Sequence, residues 1–440
     1  MKFTTAPDNA GKPYRNFRWL FTLVGAAFAI RLIVVLFTYS KLPDADKFYE
    51  RFGWEMGWIA RALAAGHGFS SPYWPWSGPT ATQPPLYPVL LSLVFRLFGI
   101  YSLTSAFIIL SFDSLLSALT CIPVYFSAKY ALCETGAKVA ACIWAFYPFA
   151  IYFSATRVWE YALTGLLFTT SFCIAQRIHK AASGWAWFGW GALAGVTALS
   201  NPSTLDTLPF LLGASIYQAH KAGKKWAIKG ALTILSAVAV LTPWIVRNVR
   251  DLGILCPVRD NFWLEVYDGN GGDASLNPSF AHPSSNPAEM RKWLTMGEPA
   301  FLAEKHALAI DYLRRHPDFF VHKTLRRIVY YWTGFWSFSV EEIREQPYEP
   351  ANICQVSSIT LLMILGIKSL WSRDRYTALP YLVLVCVFPL TYYVTHPIMD
   401  YREPIEPAIV VLAVAGALAL RRALSVAPVG ALPAFTEDSD

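Results

Sequence analysis

Residues 155–178 read ATRVWEYALTGLLFTTSFCIAQRI, and from Tyr161 onward this stretch is apolar for about the length of a helix that crosses a membrane. Glu160 directly precedes this apolar stretch and follows Arg157 by about one helical turn. An acidic side chain at bilayer depth costs several kcal/mol unless it faces a water-filled cavity or a partner. The stretch therefore predicts a membrane helix, and it raises the question of what Glu160 faces.

The composition extends this interpretation to the whole chain. Of its 440 residues, 55% are hydrophobic and only 15% are charged, whereas soluble domains average about 25% charged. Apolar runs alternate with short polar joints, which is typical of an all-α polytopic membrane protein. We predict ten spans: 18–40, 103–128, 136–154, 158–177, 185–200, 203–220, 226–246, 353–371, 376–395 and 404–421.

The distribution of Lys and Arg predicts the orientation. With the N-terminus inside, every inner joint is basic, including the joints around Lys129, Arg177 and Lys224, whereas the short outer joints hold far fewer basic residues. We therefore expect both termini inside and a multi-pass protein of the cytoplasmic membrane. The first span has no small-residue cleavage site after it, so we interpret it as an anchor.

This topology divides the chain into four parts. Residues 1–246 form an N-terminal membrane module that includes a large first outer loop, 41–102. Residues 247–352 form a small extracytoplasmic domain, which opens with predicted turns around YDGNGGD (267–273). The C-terminal membrane helices occupy 353–422, and 423–440 form a cytoplasmic tail.

The first outer loop contains two further helices. In KFYERFGWEMGWIARALAAG (47–66), Phe52, Met56, Ile59 and Leu63 share one face, which predicts an amphipathic helix along the membrane interface. The run LYPVLLSLVFRLFG (86–99) is too short to span and is expected to be interfacial or re-entrant.

The sequence lacks the motifs that are typical of several functional classes. The seven cysteines have no metal-binding or redox spacing, and there is no phosphate-binding glycine loop, zinc-binding helix or G-x-S-x-G motif. The basic excess follows the inner membrane face, which argues against a nucleic-acid partner. The sequence calls for no metal and no cofactor.

Five motifs, in order, resemble the C-type polytopic glycosyltransferases that use lipid-phosphate sugars, above all the protein O-mannosyltransferases and the aminoarabinose transferase of lipid A. They are the acid-bearing helix ending in IARALAAGHGF (59–69), QPPLYPVLLSLVFRLFG (83–99), the acid Glu160, TPWIVRN (242–248) and DYREPIEP (400–407). The resemblance implies a helix bundle with an outward-facing cavity, a polyprenyl-phosphate sugar donor and inverting transfer to an acceptor that the sequence does not identify.

The resemblance also assigns candidate residues. Glu55 is expected to be the catalytic base, with Asp44, Asp46 and Glu50 as alternatives because the family's first acid falls at the position of Phe52. Glu160 orients the acceptor or shares the role of base. Arg247, Tyr401 and Arg402 are expected to hold the donor phosphate, since an arginine fork matches phosphate oxygens. Gln83 stands where the aminoarabinose branch has a phosphate-binding lysine.

Simpler interpretations remain for the same residues. Glu160 could be a helix-terminal acid paired with Arg157, and Arg402 could pair with Asp400 or Glu406. His396 is expected to be a capping or interfacial residue, and Asp113 is expected to pair with Arg31 inside the membrane. At the level of function, the alternatives are a secondary transporter or lipid flippase, for which the expected internal repeat is not found, and a non-catalytic assembly partner.

Overall fold

The computed structural model describes residues 14–41, 52–73, 76–271, 279–337 and 349–426. Within these ranges the chain is built of helices, and the one strand-like pairing is an isolated bridge between Ser70 and Pro79. The predicted all-α fold is confirmed.

The helices are numbered in chain order. The N-terminal part contributes α1 (Tyr14–Thr38), α2 (Glu55–Ala64), α3 (Leu86–Phe98), α4 (Leu103–Leu119), α5 (Cys121–Ala131), α6 (Glu134–Ala145), α7 (Pro148–Thr156), α8 (Tyr161–Ile178), α9 (Gly184–Ala198), α10 (Ser203–Lys221) and α11 (Ala227–Leu252). The C-terminal part contributes α12 (Phe262–Gly271), α13 (Pro287–Met296), α14 (Glu298–Arg315), α15 (Pro317–Thr333), α16 (Glu349–Arg373), α17 (Arg375–Val387), α18 (Leu390–Val394) and α19 (Glu406–Val426).

Among the described residues, seven helical stretches are long and apolar enough to cross a membrane, judged by length and composition. They are Arg18–Lys41, Leu103–Ala131, Glu134–Thr156, Ala227–Leu252, Pro350–Arg373, Arg375–Val394 and Glu406–Ser425. They coincide with seven of the ten predicted spans. The other three predicted spans form α8, α9 and α10, which are not counted with the seven. The exact number of spans and the orientation stay predictions.

The surface of these helices is apolar as well as their core. Phe37 of α1, Trp185 of α9 and Ile228 of α11 are 74%, 80% and 70% exposed. Exposed apolar side chains on helices of this length are expected to face lipid, where they cost nothing. The bundle is therefore apolar both in its core and on its outer surface, as is typical of a membrane protein.

The two charged residues expected to pair inside the bundle do not. Arg31 donates to the carbonyls of Ala27 and Ala145 and to the hydroxyl of Ser117, whereas Asp113 accepts from the Tyr87 hydroxyl at 2.6 Å. The predicted Arg31–Asp113 pair is wrong. Backbone carbonyls and hydroxyls supplied the partners, and these do not show as charges in a sequence.

The first loop contains the two predicted short helices. Met56 and Ile59 of α2, and Phe52 in the turn before it, are buried as the periodicity indicated, and Leu63 is half-buried. The 13-residue α3 would extend over only about 20 Å, less than the hydrocarbon core of a bilayer. Tyr101, just after α3, packs edge to face against Phe52, just before α2, and against Phe95 of α3, so these rings join the two segments.

Helices α12–α15 form a small module, here called the cap, over one end of the bundle. Its core contains Leu264, Trp293 and Phe301, and Tyr73 of the first loop packs into the same cluster. The turns predicted around 267–273 are wrong for the described part, because α12 runs through Gly271. Gly269 lies there for another reason: a Cβ atom would stand 2.3 Å from the Thr395 carbonyl oxygen, so the glycine allows α12 to touch the segment after α18.

Candidate active site

A cavity of about 1100 Å³ lies between the cap and the bundle. Its walls include the start of α2, the α7–α8 joint, the α9–α10 joint, the segment that leads into the cap, and residues 391–401, from within α18 to the segment before α19. Glu55, Glu160 and Tyr401 line it, as predicted. Arg247 and Arg402 do not belong to its lining.

Glu55 reaches the cavity because of the turn before it. Gly53 (φ 85°) and Trp54 (φ 49°) both have left-handed backbone conformations, which a tryptophan adopts only at a cost. A Cβ atom on Gly53 would stand 2.6 Å from the Val158 carbonyl oxygen. The turn before Glu55 therefore packs directly on the joint that carries Glu160, and this contact brings the two acids to one cavity.

The surroundings of Glu55 disfavour the charged form of its carboxyl group. Its side chain is buried, and its Oε1 atom lies 3.8 Å from Nε2 of His282 in the cap. Burial raises the pKa of Glu55, and the charge of His282 opposes that rise only in part. A carboxyl group with a raised pKa is a stronger base once it is deprotonated. The alternative acids Asp44, Asp46 and Glu50 lie outside the described residues.

Glu160 stands just before the first residue of α8, yet its side chain does not cap the helix. Its Oε1 atom accepts from the amide of Asn201 at 3.0 Å. Its buried Oε2 atom has no hydrogen-bond partner in the described part of the chain. Arg157 instead pairs with Asp400 at 3.2 Å. The arrangement leaves one carboxylate oxygen available to a group in the cavity.

Arg259 lies between the acids of the cavity. Its Nη2 atom donates to Glu265 at 3.0 Å, while its Nε atom has no partner among the described residues. Burial by itself lowers the pKa of Arg259, but the neighbouring acidic groups, Glu265 above all, outweigh burial and raise it. The guanidinium is therefore a permanent cation at the centre of the site.

Tyr401 belongs to a polar chain on the same wall. Its hydroxyl lies 3.2 Å from Nε2 of His396, and Nδ1 of His396 lies 3.7 Å from Glu265. Burial lowers the pKa of His396, so this imidazole is neutral near pH 7. His396 is thus part of the cavity wall, beyond the capping or interfacial role expected of it.

The other two predicted phosphate ligands are bound within the protein. Arg402 is 1% exposed; its Nε atom pairs with Glu406 and its Nη1 atom donates to the carbonyl of Tyr331. This pairing with Glu406 was one of the simpler interpretations. Arg247 donates to the carbonyls of Thr80 and Phe69 and pairs with Asp251, so it fixes the first loop against α11.

Four residues of the site were missed by sequence reasoning. Arg259, Glu265 and His282 come from the cap and its lead-in, where no local pattern marks them, and Arg157 was seen only as a partner for Glu160. A basic residue just beyond the end of an apolar span, as Arg259 follows α11, is the one signal that could have selected a candidate. Among the described residues, no group of three His, Cys, Asp or Glu side chains is arranged to hold a metal ion.

The fold and the site define a polytopic helical membrane protein with a charged cavity beneath a small helical cap. This is the fold of the C-type polytopic membrane glycosyltransferases, so the predicted resemblance is confirmed at the level of fold. No protein-family model and no curated protein sequence matches the chain.

Solved structures supply the comparison. The apo oligosaccharyltransferase of Archaeoglobus fulgidus superposes with a TM-score of 0.55 at 11% identity, over 94% of this chain and 52% of that one. The same enzyme, solved with an inhibitory peptide and a dolichol-phosphate, gives 0.54 at 12% identity, over 94% and 52%. The chain thus spans about half the length of that enzyme. ArnT of Cupriavidus metallidurans, solved with undecaprenyl phosphate, is a looser match, with a TM-score of 0.40 at 13% identity over 92% and 78%.

Proposed function

We propose that this protein is an inverting glycosyltransferase, which moves a sugar from a polyprenyl-phosphate donor to an acceptor at the outer face of the cytoplasmic membrane. One observation carries the proposal. Two buried acids, Glu55 and Glu160, and two arginines, Arg157 and Arg259, line one cavity at the junction of a membrane bundle and its cap. Sugar transfer from a lipid phosphate needs both kinds of group within one site.

The acids provide the proton acceptor. As the nucleophile of the acceptor attacks the anomeric carbon, it must lose a proton, and a positioned carboxylate that takes this proton contributes about 10²–10⁴-fold. Glu55 serves as the base, because burial raises its pKa and His282 stands beside it. Glu160 orients the acceptor with its unpartnered oxygen.

The arginines stabilise the leaving group. The bond between the anomeric carbon and the phosphate oxygen breaks, so negative charge gathers on the phosphate, and fixed cations stabilise it without rearrangement. Arg259 and Arg157 replace Arg247 and Arg402 in this role, because the first two line the cavity and the latter two do not. Tyr401 stays in the proposal as a neighbour of the phosphate.

The fold supports this proposal without deciding the substrate. The archaeal oligosaccharyltransferase that shares the fold was solved with a dolichol-phosphate. A lipid phosphate of this kind would place its chain along the bundle and its head group in the cavity.

A single assay tests the function. Purified protein is incubated with a panel of labelled polyprenyl-phosphate sugars in lipid discs, and free or transferred sugar is measured. The parent protein is expected to release or transfer one of these sugars, and Arg259→Ala and Arg157→Ala to lose most of that turnover. Arg250→Ala is the matched control, because Arg250 is 76% exposed and outside the cavity.

The same panel of donors distinguishes sugar transfer from the main alternative function, a lipid flippase. A flippase would move the labelled donor across a vesicle membrane with its sugar–phosphate bond intact. Transport of intact donor with no bond cleavage across the panel would contradict the proposed transfer.

A further inference from the structure

A second cavity, of about 540 Å³, lies at the opposite end of α8 from Glu160. Since α8 has 18 residues, the two ends are separated by about 27 Å, close to the thickness of the hydrocarbon core. The polar residues that line this second cavity are Lys129, Tyr130, Arg177, Lys180, Asp374 and Thr377. The proposed transfer reaction uses none of them.

The second cavity has an excess of positive charge. Its single carboxylate, Asp374, is already engaged: it accepts from the Tyr376 amide at 3.0 Å and from the Thr377 hydroxyl at 2.6 Å. Lys129 pairs with Glu134 at 3.2 Å, but Glu134 also pairs with Lys138. Two cations are therefore left without a carboxylate partner.

These two cations, Arg177 and Lys180, form no ion pair with a carboxylate among the described residues. The Arg177 guanidinium carbon and the Lys180 ammonium each lie 5.1 Å from the centre of the Tyr130 ring. The face of an aromatic ring attracts cations but compensates for their mutual repulsion only in part. An anion that bridged them would relieve that repulsion.

Arg177 is pre-positioned for such an anion. Its Nη1 atom donates to the Cys173 carbonyl at 3.1 Å, and its Nη2 atom donates to the Phe126 carbonyl. The guanidinium is thus fixed against α5 and α8, which lowers the entropy that binding would cost. Lys180, in the turn after α8, is exposed and can adjust to the ligand.

The position along the helices indicates the source of the anion. Candidate membrane spans end at Ala131 and at Arg373 and begin at Arg375, next to this cavity. The cavity therefore lies where helices leave the membrane, the level at which phospholipid head groups lie. We infer that this pocket binds the phosphate of an anionic lipid head group through Arg177 and Lys180, the two cations beside the Tyr130 ring.

Native mass spectrometry of the full-length protein in neutral detergent tests this. Dioleoyl-phosphatidylglycerol, dioleoyl-phosphatidylcholine and inorganic phosphate are titrated separately, and the dissociation constant of the first bound molecule is measured. The parent protein is expected to prefer phosphatidylglycerol. Lys180→Glu is expected to weaken that binding about 25-fold, because each basic residue near an anionic lipid contributes about fivefold and charge reversal counts twice.

The control is Lys225→Glu, the same charge change at an exposed lysine that is not part of the cavity lining; it is expected to leave binding within about twofold. Lys180→Gln, which removes one charge without adding another, is expected to fall between the parent and Lys180→Glu. Equal binding by the parent and both Lys180 variants, or equal affinity for the neutral and the anionic lipid, would overturn the inference. Inorganic phosphate that binds as tightly as the lipid would also overturn it, since the ligand would then be a free anion. The readout is binding, so failure of sugar transfer leaves its result unchanged.

Discussion

At the scale of the residue, the candidate site depends on charged groups that are buried and only partly paired. Glu55 is buried beside one histidine, and Arg259 is held among Glu265, Glu55 and Glu160. Such groups destabilise a fold unless a ligand or a partner compensates for them. Clusters of this kind are common at functional sites. The pKa shifts that cost stability there also bring the pKa of a catalytic group close to the value that its reaction requires.

The two acids are expected to differ in a measurable way. Glu55→Gln keeps the shape of the side chain but cannot take a proton, so turnover should fall about 10²–10⁴-fold with donor binding retained. Glu160→Gln should chiefly raise the KM for the acceptor. Steady-state kinetics of sugar transfer check both, with Asp311→Asn as the control at an exposed acid.

The alternatives for the base are tested beside them. Asp44→Asn, Asp46→Asn and Glu50→Gln are expected to keep most of the activity. If one of them abolishes turnover while Glu55→Gln is near normal, the role of base belongs to that residue.

The histidine beside Glu55 should tune its titration. The charge of His282 lowers the pKa of Glu55 against the larger effect of burial, so removing it should raise that pKa further. Because the base must be deprotonated to act, His282→Asn should move the acidic limb of the pH–rate profile to higher pH. An acidic limb that stays in place, with normal folding, would show that His282 does not act on the base.

At the scale of the element, the cap is joined to the bundle by close backbone contacts and buried polar groups. Gly269 of α12 lies against Thr395, and Arg327 of α15 donates to the carbonyls of Gly269 and Val394. These contacts set the position of residues 391–401, which carry His396 and Tyr401. The geometry of the cavity therefore depends on how α12 meets α18.

Gly269→Ala should disturb this junction. The added methyl group would meet the Thr395 carbonyl oxygen at 2.3 Å, and overpacking of this kind costs about 1–3 kcal/mol. We expect a lower Tm and a loss of activity, measured by thermal unfolding and sugar transfer. Gly213→Ala, in α10 with no atom within 4 Å of the added carbon, should change neither.

A buried pair of acids predicts a pH dependence of stability. Asp260 and Glu298 both lie beside Ala81: the Ala81 amide donates to Glu298, and the Asp260 amide donates to the Ala81 carbonyl. Burial together with the charge of the neighbouring acid raises the pKa of Glu298, and burial raises the pKa of Asp260. The folded state thus keeps protons that the unfolded chain has released. Its stability is complete below the ordinary carboxyl range, about pH 4, and is lost as pH rises through the raised pKa values.

Glu298→Gln should flatten this dependence, because the amide can still accept from the Ala81 amide and carries no charge. Thermal unfolding followed from pH 5 to pH 8 measures it. A parent Tm that rises over this range would contradict the assigned direction of the shift.

At the scale of the whole molecule, α8 links two polar sites across a membrane thickness. Glu160 lies at one end of this helix and Arg177 at the other. Orientation decides which site faces the cell exterior, and the basic joints predict that the Arg177 end is inside. The candidate active-site cavity would then open outward, as the proposed function requires.

Cysteine labelling tests this orientation. In a background with the seven native cysteines replaced by serine, an impermeant maleimide should reach Ala300→Cys in intact cells, since Ala300 is an exposed residue of the cap. Ala222→Cys, exposed in the joint after α10, should react only after the membrane is opened. Labelling of Ala222→Cys in intact cells would reverse the topology and contradict an outward-facing cavity.

The apolar runs by themselves determined the helical membrane class and the short helices of the first loop, because lipid allows a chain few ways to satisfy its backbone. Periodicity likewise placed Phe52, Met56 and Ile59 on a buried face. The local pair of Arg402 with Glu406 was among the sequence-based interpretations, but only the tertiary structure decided which distant charges meet: Arg157 with Asp400, and Arg259 with Glu55 and Glu160. The reason is physical, since a long charged side chain selects its partner through space across segments hundreds of residues apart, and no local period records that choice.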